Sequence, residues 1–167
     1  MIAETSQRIT DNDIRIIRLQ PVKVAWYRAQ SAGPEKDAWD VMRKWMGEQG
    51  LAGQFSTRYF GFNNPNPVPG NPVYGYEVWV TVMDESIVAE KSGPIGFKEF
   101  EGGLYAVTPT RLPDITEQWK QLCKWVETSG YTFGSHQWLE ENIMVDEKSW
   151  DEDMQLDLYC PIRKKDK

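Results

Sequence analysis

The sequence predicts an α+β fold: a tandem β-α-β-β repeat with pseudo-twofold symmetry, in which an antiparallel sheet carries both helices on one face and a central ligand cleft. The main observation is that the chain matches itself when its second half is laid over its first. Trp39 and Trp45 coincide with Trp119 and Trp125, in segments where apolar residues recur at helical spacing. Without a gap, the same offset aligns two strand-like segments, Glu-Val-Trp-Val at 77–80 and Asp-Leu-Tyr-Cys at 157–160. Two copies are too few for a solenoid, so the repeat favours one domain with an axis through it.

The first half, about 13–83, shows the β-α-β-β order. A helix is predicted from Pro34 to Gln49, because its apolar residues follow the period of an α-helix and Gly50 stands where a C-cap glycine belongs. Alternating or aromatic runs predict strands at 13–19, 57–62 and 74–83, and 22–28 is either the next strand or a continuation of the first past a proline bulge. Asn and Pro fill 63–72, which is therefore expected to be a stiff loop.

The second half, about 95–164, repeats this order after a polar linker at 84–94. Its first strand, 95–108, is interrupted at Gly102-Gly103, where a bulge or turn is expected. A helix is predicted from Ile115 to Ser129, and further strands at 136–143 and 154–162, with an acidic turn at 146–153 between them. The whole chain, 1–167, is then a single domain.

Composition excludes several classes of function. The net charge of −6 argues against a nucleic-acid binder, which needs a basic surface to displace counterions. The start of the chain has no secretory pattern and no apolar run is long enough to span a membrane, so a cytoplasmic protein is expected. Cys123 and Cys160 lack the spacing of metal ligands, and no cofactor motif is present.

Aromatic residues are abundant, with eight Trp, seven Tyr and six Phe. Most are expected to fill the core, but some can line a pocket. Strand alternation places Glu77 and Trp79 on one face, with Tyr76, Val78 and Val80 on the other, which suits a helix. A carboxylate beside an indole on the open face suits an organic cation. An exposed glutamate beside a surface-packed tryptophan satisfies the same pattern.

A second acid-plus-aromatic pair is predicted near His136, where Trp138 and Glu140 share a face and Glu141 lies opposite unless a bulge intervenes. The candidate ligand-binding residues are Glu77, Trp79, Tyr105, Trp138, Glu140, Glu141 and Tyr59. No phosphate loop, nucleophile elbow or zinc-protease motif is present, so no catalytic residue is assigned.

Several segments resemble a known family. The run from Asp13 to Ala25 resembles the opening strand of GyrI-like domains, the effector-binding domains of multidrug-responsive transcription regulators. Four further segments are similar to a stand-alone branch, the integron-associated effector-binding proteins, at 74–79, 100–107, 137–141 and 156–162. The resemblance covers nearly the whole chain.

The resemblance implies a pseudo-twofold β-α-β-β fold that binds bulky lipophilic, often cationic, compounds in an aromatic cage around a buried glutamate. Carried over by motif, that acid is Glu77, or Glu140 or Glu141. The expected function is therefore a small-molecule binding module for drug sensing or sequestration. The alternatives are a GyrI-like hydrolase that opens strained cyclopropane rings, or a protein-binding inhibitor.

The expected partner is a small organic cation, with no metal, cofactor or membrane. Direct contact with nucleic acid is not expected, since the chain has no room for a helix-turn-helix domain. A homo-oligomer and a separate regulatory partner are both compatible with the sequence.

Overall fold

The computed structural model describes residues 9–51, 56–83, 93–143 and 154–166. Over these ranges the chain forms nine strands and two α-helices, with single 3₁₀ turns at Asp11–Asp13 and Leu112–Asp114. In chain order the elements are β1 (Arg15–Leu19), β2 (Val22–Ser31), α1 (Pro34–Glu48), β3 (Tyr59–Asn63), β4 (Tyr74–Thr81), β5 (Gly96–Phe100), β6 (Gly103–Arg111), α2 (Ile115–Thr128), β7 (Tyr131–Phe133), β8 (Leu139–Asn142) and β9 (Gln155–Lys164).

The strands form one antiparallel sheet, curled into a half-barrel, in the order β1-β6-β9-β8-β3-β4-β2-β5, with β7 added to β9. This order is symmetric about the β8–β3 pair. The first strand of each half is exchanged: β1 pairs with β6 of the second half, and β5 pairs with β2 of the first. The predicted α+β fold with an antiparallel sheet is confirmed, and the part of each half before its helix forms two strands, β1-β2 and β5-β6.

The repeat is visible in the element boundaries as well as in the sequence. β1 begins at Arg15 and its counterpart β5 begins at Gly96. β2 begins at Val22 and its counterpart β6 begins at Gly103, so both pairs of strands are separated by the same number of residues. The starts of α1 and α2 and of β4 and β9 are separated by that spacing too, and those of β3 and β8 by one position less. The two halves therefore agree in the order and the placing of their elements.

Both helices cover the same face of the sheet, here called the helix face. α1 places Trp39, Met42 and Trp45 against the sheet, where they pack on Val78 and other small or apolar side chains of β2 and β4. α2 packs Leu122 and Val126 on Leu158 and its neighbours in β6 and β9. The two contact areas share a face, because a single row of paired residues crosses the sheet from Val78 through Gly61 and Glu140 to Leu158.

The opposite face, here called the inner face, carries a second cluster to which both halves contribute. Its buried members are Leu19, Val24, Phe60, Phe62, Trp79, Tyr105, Val107, Leu139 and Tyr159. Their rings meet edge to face: the ring centroids of Phe62 and Trp79 lie 5.0 Å apart, and those of Phe60 and Tyr159 lie 5.8 Å apart. The prediction from alternation along β4 is therefore correct: Glu77 and Trp79 lie on the face opposite to Val78, which faces the helices.

Local differences from the sequence expectation have physical causes. The predicted interruption at 102–103 is confirmed, because both glycines have positive φ and form the turn between β5 and β6. The segment 136–138 is not a strand. The His136 ring lies against Gly103 and Gly134, where any Cβ would overlap it, and β8 begins only at Leu139. Strand β7 was not predicted.

The predicted linker at 84–94 and acidic turn at 146–153 fall wholly or mostly outside the described residues. Within the part of the chain that the structure describes, neither helix has the length and apolar character needed to cross a membrane.

Gly61 at the centre of the sheet gives a direct test of this packing. A Cβ there would overlap the hydroxyl and ring of Tyr76, whereas Gly47 in α1 has open space around it. We expect Gly61→Ala to lower the free energy of unfolding by about 1–3 kcal/mol through overpacking. The matched change Gly47→Ala should raise it by about 0.5–1 kcal/mol, because alanine favours the helix. Urea unfolding of both variants measures the difference, and equal effects would contradict the described packing.

Candidate functional site

The seven sequence-predicted site residues divide between the two faces of the sheet. Glu77, Trp79, Tyr105 and Glu141 lie on the inner face. Tyr59 and Glu140 lie on the helix face, and Trp138, just before β8, packs on Trp119 of α2. The structure therefore does not gather all seven into one site. It forms two acid-and-aromatic groups on opposite sides of the same strands.

Glu77 on the inner face is buried, with 3% of the residue exposed, and it already has a cationic partner. Its Oε2 atom accepts hydrogen bonds from the Trp79 indole at 2.5 Å and from the Lys98 ammonium at 2.6 Å, and its Oε1 accepts one from Asn64 at 3.3 Å. The Lys98 nitrogen also lies 4.8 Å from the ring centroids of both Trp26 and Trp79. The negative charge of Glu77 is thus balanced within the chain.

Glu141, also on the inner face, is balanced by an arginine. Arg58 donates from Nε and Nη2 to the two carboxylate oxygens at 2.7 and 2.9 Å, the bidentate geometry that makes such pairs strong. The Tyr159 hydroxyl donates to Glu141 at 2.7 Å. Burial and the neighbouring Glu141 raise the pKa of Tyr159, and the hydrogen bond to Glu141 raises the pKa of Arg58. Tyr159 therefore stays neutral and Arg58 stays charged at neutral pH.

Tyr105 completes the inner-face group but is engaged elsewhere. Its hydroxyl donates to the backbone oxygen of Gln137 at 2.5 Å, and its ring lies edge-on to Tyr159, with 5.5 Å between centroids, and to His136, at 4.8 Å. The His136 Nε2 lies 2.7 Å from the Leu104 backbone oxygen and holds the ring in place. Tyr105 therefore acts as a packing residue of the inner face.

Glu140 differs from the other two glutamates because none of the residues the structure describes forms an ion pair with it. Opposite Glu140, Gly61 leaves room for the Tyr76 ring, whose hydroxyl donates to Glu140 Oε2 at 3.2 Å. Burial raises the pKa of Glu140 to about 7, although hydrogen bonds from Trp119 and Tyr76 oppose the rise. This carboxyl group therefore changes charge near neutral pH.

An aromatic group on the helix face includes the two hydrogen-bond partners of Glu140, Tyr76 and Trp119. Trp119 and Trp138 lie with centroids 5.6 Å apart, and Trp39 packs against Tyr59 with 6.4 Å between centroids. Trp39, Tyr59 and Tyr76 are buried, whereas Trp119 and Glu140 are partly exposed and Trp138 is 37% exposed. We call this group the Glu140 site; it comprises Trp39, Tyr59, Tyr76, Trp119, Trp138 and Glu140. Trp138 is therefore the member of the Glu140 site that is most open to solvent.

The surroundings of the Glu140 site are electronegative. Glu35, at the start of α1, accepts hydrogen bonds from the Tyr74 hydroxyl at 2.7 and 2.8 Å. Its charge contributes to the raised pKa values of both Glu140 and Tyr76, after the larger effect of burial. Two carboxyl groups near one aromatic surface favour a positively charged ligand over a negatively charged one.

Sequence reasoning missed three members of the Glu140 site. Tyr76 was assigned only to the helix-facing side of β4, and Trp39 and Trp119 served only as evidence for the repeat. The signal was nevertheless available, since Trp39 and Trp119 occupy equivalent positions in the two helices. Helices that flank a pseudo-twofold axis can place matching residues on either side of it.

The chemistry open to this group is limited. An acid whose pKa is near 7 can bind a cation when charged, or hold and release a proton. The described residues contain no group of three or more His, Cys, Asp or Glu side chains arranged to hold a metal ion. The aromatic walls suit the apolar part of an organic molecule.

Solved structures with the same fold are similar to most of the chain. The C-terminal domain of EcmrR matches with a TM-score of 0.64 and 12% identity, over 90% of this chain and 97% of that one. SAV2435 bound to tetraphenylphosphonium matches with a TM-score of 0.54 and 10% identity, over 90% and 93%. A structure described as a hydrolase from Listeria innocua matches with a TM-score of 0.61 and 12% identity, over 90% and 92%. At these identities the likeness establishes the fold alone.

Sequence comparison gives the family directly. No curated protein shows significant similarity to the chain. A family model described as integron-associated effector binding protein, however, matches residues 15–162, from the start of β1 into the last strand, β9. Because this match covers most of the chain and agrees with the fold, the protein belongs to the integron-associated effector-binding family.

Proposed function

We propose that the protein binds bulky lipophilic cations at the Glu140 site, as a module for drug sensing or sequestration. The observation that carries the proposal is the contrast between three glutamates of the central strands. Glu77 and Glu141 are neutralised by Lys98 and Arg58, whereas Glu140 has no such partner among the described residues and its pKa is raised to about 7. Glu140 is thus the acid that a ligand can neutralise.

The energetics favour a cation at this position. A carboxylate that is removed from water without a partner is destabilised, and this cost is what raises its pKa. A bound cation offsets that cost and also gains attraction from the tryptophan and tyrosine rings, roughly 0.5–2 kcal/mol for a well-placed ring. Neither contribution requires close shape matching, so the site is expected to accept several ligands of similar charge and size.

Membership of an effector-binding family supports a ligand-binding role in general. The structure of SAV2435, which has the same fold, was solved with tetraphenylphosphonium bound, so this lipophilic cation is a suitable first probe for the present chain. The proposed partner is therefore a small molecule, and direct recognition of DNA is not part of the proposal.

A hydrolase is the second candidate, and one observation favours it. Glu140 hydrogen-bonds to Tyr76 and has a pKa near the value that suits a general acid or base. Incubation with a cyclopropane-containing alkylating compound, followed by product analysis, separates the two functions. Turnover that Glu140→Gln abolishes would support the hydrolase; recovery of the compound unchanged would leave binding as the function.

The charge of Glu140 can be tested by substitution. Glu140→Gln should weaken tetraphenylphosphonium binding by about 10- to 100-fold, because it removes roughly 1.5–3 kcal/mol of charged interaction. Binding of the neutral triphenylphosphine oxide should change by less than about threefold. Tryptophan fluorescence titration measures both affinities, with the exposed Glu99→Gln as the matched control. Equal losses for the cation and the neutral compound would contradict the proposed role of charge.

Binding should also depend on pH in a defined direction. Below pH 7 Glu140 takes up a proton and loses its attraction for a cation, so the Kd of tetraphenylphosphonium should rise about tenfold between pH 8 and pH 6. The Glu140→Gln variant should show a flat profile over the same range. A wild-type profile that is equally flat would remove Glu140 from the proposed site.

Without ligand, the free energy of unfolding should change with pH in the opposite direction to the affinity for a cation. Because the folded-state pKa of Glu140 is raised from 4.5 to about 7, the folded protein holds a proton that the unfolded chain has released, and stability falls as pH rises from 4.5 to 7. Relative to Glu140→Gln, the wild type should lose up to about 3 kcal/mol between pH 5 and pH 8. Urea unfolding of both proteins at the two pH values gives this difference, in which other titrating groups cancel. A difference near zero would show that Glu140 is not desolvated.

A further inference from the structure

The inner face contains a second group that has the composition of a cation site. Trp26 and Trp79 place their rings on the Lys98 ammonium, each with a centroid 4.8 Å from the nitrogen, and Glu77 bonds to the same nitrogen at 2.6 Å. Glu77 is 3% exposed, whereas the Lys98 side chain is 37% exposed. A buried carboxylate, two indoles and a cation between them are the components expected of a site for an organic ammonium ion. We call this group the Glu77 cage.

We propose that Lys98 is a tethered cation that occupies the Glu77 cage, excludes free organic cations from it and so restricts cation binding to the Glu140 site. The second part of this inference rests on the proposed function. β8 supplies an acid to each face, Glu140 and Glu141, and β4 supplies Tyr76 to the Glu140 site and Glu77 to the cage. In the Glu77 cage Lys98 of the chain provides the cation, whereas none of the described residues provides one in the Glu140 site.

Tethering explains why a free ligand would not displace the lysine. An intramolecular partner acts at an effective concentration set by the chain, which reaches the millimolar range or above even for flexible linkers. Lys98 is held more firmly than that, because β5 pairs along its length with β2, from Val22 opposite Phe100 to Trp26 opposite Gly96. A cation at micromolar concentration therefore competes poorly for the Glu77 cage.

The repeat does not require a lysine at this position. Lys98 of β5, from the second half of the chain, pairs with Val24 of β2, and the equivalent residue of the first half, Ile17 of β1, pairs with Tyr105 of β6. The first half thus has an isoleucine where the second half has its ammonium group. The occupant of the Glu77 cage is a specific feature of one half, which is the pattern expected of a residue that determines specificity.

Removal of the lysine side chain should turn the Glu77 cage into a site for a free amine. Lys98→Ala removes three methylene groups and the ammonium, which n-propylammonium replaces. The variant is made in a Glu140→Gln background, so that the helix-face site does not respond. We expect its Tm to fall by on the order of 5–10 °C, because Glu77 loses its partner. Millimolar n-propylammonium chloride should then raise the Tm in a saturable way by several degrees, relative to equal sodium chloride.

Two variants and one compound serve as controls. Lys98→Met fills the cage without charge, and Glu77→Gln combined with Lys98→Ala leaves no carboxylate; neither should respond to the amine. The neutral isostere 1-propanol should give no saturable rise with any variant. If Lys98→Ala does not fold in buffer, refolding in the presence of n-propylammonium should restore its circular dichroism.

The proposal is overturned if Lys98→Ala shows the same response to the amine as Lys98→Met, or fails to fold at every amine concentration while Lys98→Met folds. Its failure can be told apart from failure of the proposed function. Tetraphenylphosphonium that does not bind the wild type would refute ligand binding at Glu140 and leave the amine response of the Glu77 cage standing. Normal tetraphenylphosphonium binding without amine rescue would refute only the role of Lys98.

Discussion

The short antiparallel pairing of β3 with β8 is the constraint on which the rest of the molecule depends. Two pairs define its register, Gly61 with Glu140 and Phe60 with Glu141. This register joins the two halves into one sheet and decides which glutamate faces the helices. It also sets Glu140 opposite a residue without a side chain, which leaves room for Tyr76 to reach the carboxyl group. A shift by one residue would exchange the faces of Glu140 and Glu141.

The fold was accessible from the sequence because its determinants are local or repeated. Helical spacing and the match between the two halves located both helices, and alternation assigned Glu77 and Val78 to opposite faces. The choice among the acids was not accessible, because it depends on partners distant in the chain. Arg58 and Glu141 lie in different halves, and Lys98 reaches Glu77 only because β5 is exchanged onto β2. No local pattern specifies such an exchange.

The two faces of the sheet differ in how their buried carboxyl groups are neutralised. On the inner face each of the buried carboxylates Glu77, Glu141 and Asp157 has a half-exposed base as its partner, namely Lys98, Arg58 and Arg15. Removal of one partner from such a pair leaves an uncompensated buried charge, so these groups tolerate little change. On the helix face one carboxyl group, that of Glu140, lacks a base among the described residues, and each helix contributes a tryptophan to its site. The proposed ligand site therefore lies where the sheet does not need the charge.

The exchange of β1 and β5 bears on how such a chain can arise. A gene for one half alone would encode a polypeptide that forms the full sheet only as a dimer, in which the first strand of each copy pairs with the other copy. Gly61 and Glu140 pair with each other and stand beside the equivalent residues Val78 and Leu158, so in that dimer a residue at their position would face its own copy across the axis. Two glutamates there would repel, and two glycines would offer no charge. After gene duplication and fusion the two equivalent positions can carry different residues, so that one is the acid, Glu140, and the other is Gly61, which leaves room beside it.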